Sequence, residues 1–342
     1  MSQDILTPRE QQVLEAVIQS YVETAEPAGS RTIARKYRLG VSAATIRNTM
    51  SDLEDRGYLY HPHTSAGRIP TDLAYRVYVD RIMEPPRLSP DDEKVLSDRI
   101  VRDGSAIEDL LEKAAHVLGV VSHELGFVVS LSFDESTLEQ LKLVSVSAGR
   151  LLMILVLRTG IARTVFIEIA SHLPQEAADR VARVLNERLA GLTLREIRRT
   201  LGQRLRDSAS GDSERELINI FVEEAEEIFG AAPSGQGVVV SSARHLADQP
   251  EFASEERMRE LLVLTERRDL LQDAVRDRGG GLTITIGAEN EDPKLTPFTL
   301  VSSTYEVDGL SGVIGVMGPT RMSYEKVIAL VNHASRLMGD LR

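Results

Sequence analysis

Apolar residues recur at helical spacing from the start of the chain: Val13, Leu14, Val17, Ile18, Tyr21 and Val22 form one stripe. Thr7-Pro8-Arg9-Glu10 precedes it as an N-cap, a first-position proline and a capping-box glutamate, so the first helix is expected there. Glu26-Pro27-Ala28-Gly29 ends it, and Ser30 is placed to cap a short second helix carrying Ile33, Ala34 and Tyr37, which Gly40 closes. Ser42 caps a third helix in which Ile46, Met50 and Leu53 share a stripe; the opposite face presents Ala44, Arg47, Asn48 and Ser51. Tyr58 to His61 then reads as a strand, residues 62–67 as a turn and Arg68-Ile69-Pro70 as a returning strand. Thr71 and Asp72 cap a helix from Leu73 to Met83, a strut to whatever follows.

Pro85, Pro86 and Pro90 mark a boundary, after which Ser89-Pro90-Asp91-Asp92 starts a modest helix. Ser105-Ala106-Ile107-Glu108 is a second capping box, opening a helix through Leu110, Leu111, Ala114, Val117, Leu118 and Val121. Strand patterning covers Phe127 to Phe133, Leu141 to Ser147, Leu151 to Leu157 and Arg163 to Ile169, with turns at Gly149-Arg150 and Thr159-Gly160 that suit antiparallel hairpins. From Pro174 to about Arg276 the pattern is mostly helical: one helix holds Leu185 and Leu189, one starts at Ser213-Glu214-Arg215-Glu216, and one runs from Ser254 to Gln272, with a brief strand at Val238 to Val240. Strands resume at Leu282 to Ile286, Phe298 to Thr304 and Gly312 to Val316, and a helix from Ser323 to Met338 ends the pattern. A β-rich unit interrupted by a helical stretch and then resumed has the form of an inserted domain.

Charge changes the picture of the first eighty residues. The chain has 342 residues, 40 Lys+Arg and 52 Asp+Glu, for a net charge of -12. Residues 27–81 nevertheless hold nine basic and five acidic residues, a net of +4, which leaves -16 on the remainder. Two short helices joined by a tight Gly-containing turn make a helix-turn-helix, whose second helix enters the DNA major groove by its N-terminal end. That end of the third helix is free of acids, which gather at Asp52, Glu54 and Asp55. Arg47 has the chemistry to read guanine and Asn48 adenine, Ala44 suits a thymine methyl, and Ser42 and Thr45 suit phosphate, with Ser51 completing the face. Arg31, Arg35, Lys36 and Arg38 are the expected phosphate contacts. A hairpin directly after a recognition helix is the wing of a winged helix, and its tip offers His63 and Arg68 to the backbone or minor groove.

Composition narrows the alternatives. With no cysteine, disulfides, thiol catalysis, Fe–S clusters and Cys-ligated zinc are excluded. His61 and His63 lack a neighbouring carboxylate or thiolate and make a poor metal pair, and Glu223, Glu224, Glu226 and Glu227 read as a solvated face. The glycine runs at 234–237 and 279–281 lack a phosphate-loop context, and no nucleophile–base or metalloenzyme motif appears, so no enzyme, cofactor or metal is expected. Runs such as Leu151 to Leu157 fall far short of the ~20 residues a membrane span needs, and MSQDILTPRE has no signal-peptide pattern, so no membrane partner and a cytoplasmic location are expected.

The run VSAATIRNTMSDLEDRGYLYHPHTSAGRIPTDLAYRVYVD, residues 41–80, resembles the winged-helix signature of the bacterial heat-inducible transcription repressor HrcA family, and HPHTSAGRIPT is its most specific part. VIGVMGPTRMSYEKVIALV, residues 313–331, is similar to the end of that family's C-terminal domain, and length and order agree over the whole chain. Ser42, Thr45, Arg47, Asn48 and Arg68 match the family pattern. The resemblance implies a homodimeric repressor on an inverted-repeat operator in double-stranded DNA upstream of chaperone operons, kept active by chaperonin. It implies an α+β multidomain fold: an N-terminal winged helix-turn-helix, then a GAF-like α/β domain with an antiparallel sheet, interrupted by an inserted, mainly helical dimerisation domain. The corresponding division is residues 1–84 for DNA binding, 85–104 for the linker and connecting helix, 105–170 and 277–342 for the GAF-like domain, and 171–276 for the insert, with a start near 139 as the alternative. The competing functional reading is a ligand-responsive winged-helix regulator whose GAF-like body binds a small metabolite.

Overall fold

The computed structural model describes residues 6–63, 67–100, 107–133, 136–147, 149–158, 160, 162–169, 174–205, 212–229, 238–276, 280–307 and 310–340. The capping box at 105–108, the hairpin tip at 64–66, Thr159, the glycine runs at 234–237 and 279, and the side chains of Ser213, Glu214, Glu216, Glu226 and Glu227 lie outside what is described.

Helix α1 (Pro8–Thr24) starts at a complete capping box, with Glu10 N–H donating to the Thr7 hydroxyl and Thr7 N–H to the Glu10 carboxylate. α2 (Ser30–Tyr37) and α3 (Ala43–Asp55) follow, then an antiparallel pair of two-residue strands, β1 (Leu59–Tyr60) and β2 (Ile69–Pro70). α4 (Asp72–Val77) continues through a π-helical turn to Ile82. Two expected boundaries move here. Ser30 is already inside α2 and Gly29 holds the cap position, because the Ala28 backbone is fixed by reciprocal hydrogen bonds to Arg68 at 2.9 Å and the chain turns immediately after it. Gly40 does not close α2; Arg38 does, in the left-handed conformation at φ 46°.

The next elements build a three-layer unit. α5 (Pro90–Arg99) and α6 (Ile107–Ser122) lead into β3 (Leu125–Ser132). β3 does not form a hairpin with the strand that follows it in sequence. It pairs with β10 (Leu310–Pro319) and β7 (Val238–Val240) in an antiparallel sheet of order β7-β3-β10-β9-β8, with β8 at Leu282–Ile286 and β9 at Phe298–Val307. Strand alternation sends Phe127, Val129, Val313, Met317, Phe298 and Leu300 to one face, against Leu261 and Leu264 of α12 (Glu255–Glu266) and Leu271 and Val275 of α13 (Arg268–Arg276). Val128, Ile314, Val316, Val301 and Tyr305 point the other way, against α6 and the last helix, α14 (Tyr324–Asp340). α12 and α13 replace the single helix expected over 254–272: Arg267 interrupts it with ψ 67°.

Residues 136–229 make a separate sheet and helix layer. β4 (Leu138–Ser147), β5 (Arg150–Leu157) and β6 (Ala162–Glu168) form an antiparallel meander, and α7 (Gln175–Leu189), α8 (Leu194–Leu205), α9 (Asp212–Glu223) and α10 (Ala225–Phe229) supply buried Leu185, Leu201, Phe221 and Phe229. The side-chain amide of Asn186 both accepts from Leu141 N–H and donates to Leu141 C=O at 2.7 Å, and Gln175 treats Ser145 N–H and Leu143 C=O the same way. α7 thereby satisfies the open edge of β4. The expected break at residue 171 therefore falls inside one packed unit. Residues 238–276, expected with the helical stretch, instead add β7, the short helix α11 (Arg244–Ala247), α12 and α13 to the five-stranded unit, because β7 finds its backbone partners on β3.

Candidate nucleic-acid interface

The turn between α2 and α3 holds two left-handed residues, Arg38 and Gly40, and then Ser42, whose hydroxyl accepts from Thr45 N–H at 3.1 Å and lies 2.9 Å from the Thr45 hydroxyl. α3 buries Ile46, Thr49, Met50 and Leu53 against the first two helices. Helical geometry then leaves Ala44, Arg47, Asn48 and Ser51 exposed on its other side, as the spacing predicts. Arg31, Arg35 and Arg38 are also exposed, and among the described residues none of them, nor Arg47, is in an ion pair. The first turn of α3 has no acid, and its N-terminal N–H groups and dipole favour an approaching anion. Lys36 is exposed too, but Glu23 holds its ammonium.

The hairpin is built differently from its expected form. His63 is exposed beside the undescribed tip. Arg68 is not at the tip: its guanidinium meets Glu54 at 2.6 Å and its backbone pairs with Ala28, so it joins α3, the hairpin and the start of α2. Glu54 also takes His61. Gly67 is required by this join, since a Cβ there would sit 2.4 Å from the Ala28 carbonyl oxygen. At the same end of α3, its cap residue Arg56 reaches back to Glu10 of α1 at 2.7 Å. Burial pushes the Glu10 carboxyl up, but hydrogen bonds from Thr7 and Arg56 outweigh it and hold the group below its ordinary value.

The family described as the HrcA protein C terminal domain matches residues 108–328. The heat-inducible transcription repressor HrcA of Chlorobium phaeobacteroides is 40% identical, over 98% of this chain and 98% of its own. Its counterpart from Chlorobium limicola is 42% identical, over 96% and 95%. The chain belongs to the HrcA family. A crystal structure of a hypothetical protein shares the fold, with a TM-score of 0.61 and 23% identity over 98% of this chain and 99% of that one.

In this HrcA chain the first three helices and hairpin are fastened to the sheet unit by contacts that sequence reasoning did not anticipate. Asp72 accepts from Ala288 N–H at 3.0 Å, and Gly287, at φ 57°, leaves room for that carboxylate where a Cβ would collide with it. Arg76 donates to the Ile284 carbonyl at 2.7 Å and to Glu289, which raises its pKa further. Tyr78 donates to Glu325, and the Tyr75 and Tyr324 rings lie 5.5 Å apart. Asp72 and Arg76 are four residues apart in a helix, the one available signal that they share a face; Tyr78, two residues further on, turns toward α14 instead.

Proposed function

We propose that this chain represses heat-shock genes by binding, as a homodimer, an inverted-repeat operator in double-stranded DNA through residues 1–84. The observation that carries the reading is the exposed, acid-free N-terminal half of α3 with Arg47 and Asn48 side by side on it. This HrcA head is a winged helix-turn-helix: Arg47 and Asn48 read base edges, Ala44 and Ser51 lie against the groove, and Ser42, Thr45, Arg31, Arg35 and Arg38 contact phosphate. Lys36 joins them by exchanging Glu23 for phosphate. His63 serves as the wing contact, and Arg68 acts mainly by bracing the wing on Glu54.

The body is read as a GAF-like domain of residues 107–133 and 238–340, with residues 136–229 inserted as the dimerisation domain. Support comes from the outward face of the β4–β6 meander, where Val144, Leu152 and Phe166 are aligned across the three strands. Val146 and Phe166 are 55% and 57% exposed, so a second copy is the natural cover for this apolar row. The role is binding without catalysis, in the cytoplasm where the operator is; among the described residues no helix is long and apolar enough to cross a membrane. Chaperonin dependence belongs to the same proposal, and the exposed apolar row is a surface that a chaperonin can capture while it is uncovered.

Fluorescence anisotropy of the full chain on a duplex carrying the family's inverted repeat, against a scrambled duplex across a salt series, tests the reading. Tight binding to the repeat alone, enhanced by chaperonin, is expected. Equal weak binding to both duplexes would leave only a basic head and end the operator proposal.

A further inference from the structure

Outside the head this protein is strongly acidic, so guanidinium groups left without carboxylate partners there call for an explanation. A cavity of about 260 Å³ lies between α14 and the segment that joins Ile82 to α5. Arg87 and Leu88 line it from the joining segment, Glu93 from α5, and Asn332, His333 and Arg336 from α14. Arg87 and Arg336 are exposed, and among the described residues neither is in an ion pair; the Arg336 Nε donates only to the Asn332 carbonyl of its own helix, at 3.3 Å. The Nε2 of His333 is buried and has no hydrogen-bond partner. Glu93 offsets one of the two guanidinium charges, which leaves the lining positive.

We propose that this cavity binds the phosphate group of a small molecule. Guanidinium forks match phosphate oxygens two at a time, and two of them approaching from separate segments suit a tetrahedral anion better than a carboxylate, which one fork already saturates. The Asn332 amide supplies a further neutral donor on the same wall. Because Arg87 belongs to the segment leading out of the head and Arg336 to α14 of the body, a phosphate held between them fastens one to the other. Occupancy therefore stabilises the seating of the head on the body.

The test is calorimetric unfolding of the full chain in inorganic phosphate, and separately in glycerol 3-phosphate, against chloride at matched ionic strength. A saturable rise in Tm of several degrees is expected, retained by Arg47→Ala in the head and lost in Arg87→Ala/Arg336→Ala. Because both arginines are exposed, the double variant is expected to keep its Tm in chloride. If it does not, Arg87→Lys/Arg336→Lys takes its place, keeping charge without the forks and weakening binding about tenfold. A stronger response to inorganic phosphate identifies the free ion as ligand, and a stronger response to the ester identifies a phosphorylated metabolite. No saturable rise with either probe, or a rise that survives in the double variant or disappears in Arg47→Ala, would overturn the proposal.

Discussion

Arg321, between β10 and α14, donates from Nη1 to the carbonyl of Val22 at 2.7 Å, and Val22 lies in the last turn of α1. The last carbonyls of a helix have no partner within it and attract cations, so the body grips the head at a point where the backbone needs a donor. Glu251 holds the same guanidinium at 2.9 Å, and Arg321 keeps only 13% of its side chain exposed. Arg321→Ala removes the bond to Val22 and both bonds to Glu251, and leaves Glu251 partly buried without its counter-ion. A loss of about 2 kcal/mol in stability is expected, below the range for fully buried pairs because Glu251 reaches solvent. Urea unfolding measures it, and operator affinity should fall more than affinity for an isolated half-site, since head placement is what loosens. An unchanged urea midpoint would remove Arg321 from the clamp.

Arg47 on the exposed face of α3 and Arg38 at the end of α2 are expected to play different roles. Arg47→Ala is expected to cost roughly 1–3 kcal/mol of operator binding and little on scrambled DNA. Arg38→Ala should weaken both duplexes alike and reduce the slope of log affinity against log salt by about one phosphate contact. Equal losses on the two duplexes for Arg47→Ala would move it to the phosphate contacts.

The head was readable because its signals are local. Thr7 and Glu10 close a capping box within one turn, Ser42 caps α3, and the stripe of Ile46, Met50 and Leu53 fixes which face stays outside. Arg68 lies off the hairpin tip because it pairs with Glu54, fourteen residues earlier, a pairing that arises only when hairpin and helix meet. The sheet order was hidden for the same reason: β3 skips its neighbour β4 to join β10 and β7, and apolar alternation cannot say which strand lies alongside. Arg321 gave no sign at all, since its acceptor is a backbone carbonyl about three hundred residues away.

Glu124 makes stability depend on pH in the unusual direction. Burial raises its carboxyl from 4.5 to about 8; the Gln249 hydrogen bond and the charge of Arg321 pull it down without cancelling that, and Glu251 adds to the rise. Between those two values the folded protein keeps a proton that the unfolded chain has released, so stability from this group is full below pH 4.5 and lost as pH rises through 8. The slope is at most about 1.4 kcal/mol per pH unit in that window. Glu124→Gln keeps the amide-like neutral form at all pH, so it should match the parent near pH 5, exceed it above pH 8 and flatten the curve. Urea midpoints from pH 5 to 9 check this, and parallel curves for the two proteins would refute it.

The apolar row on the meander is the expected two-fold contact. Leu152 stands opposite Val144 on one side and Phe166 on the other, while Arg150 lies over the Phe166 ring at 4.9 Å. Phe166 and Val146 already face solvent in the single chain, so Phe166→Glu/Val146→Glu should alter its own folding stability by no more than about 0.5 kcal/mol. Between two copies, however, the same change sets carboxylates into an apolar contact, where desolvation without a partner is costly. Light scattering after size exclusion should therefore report monomer for the variant and dimer for the parent. Operator affinity should fall by about 100-fold or more, because the second half-site is no longer captured at high effective concentration, while half-site binding is retained. A variant that stays dimeric would place the two-fold contact on another surface.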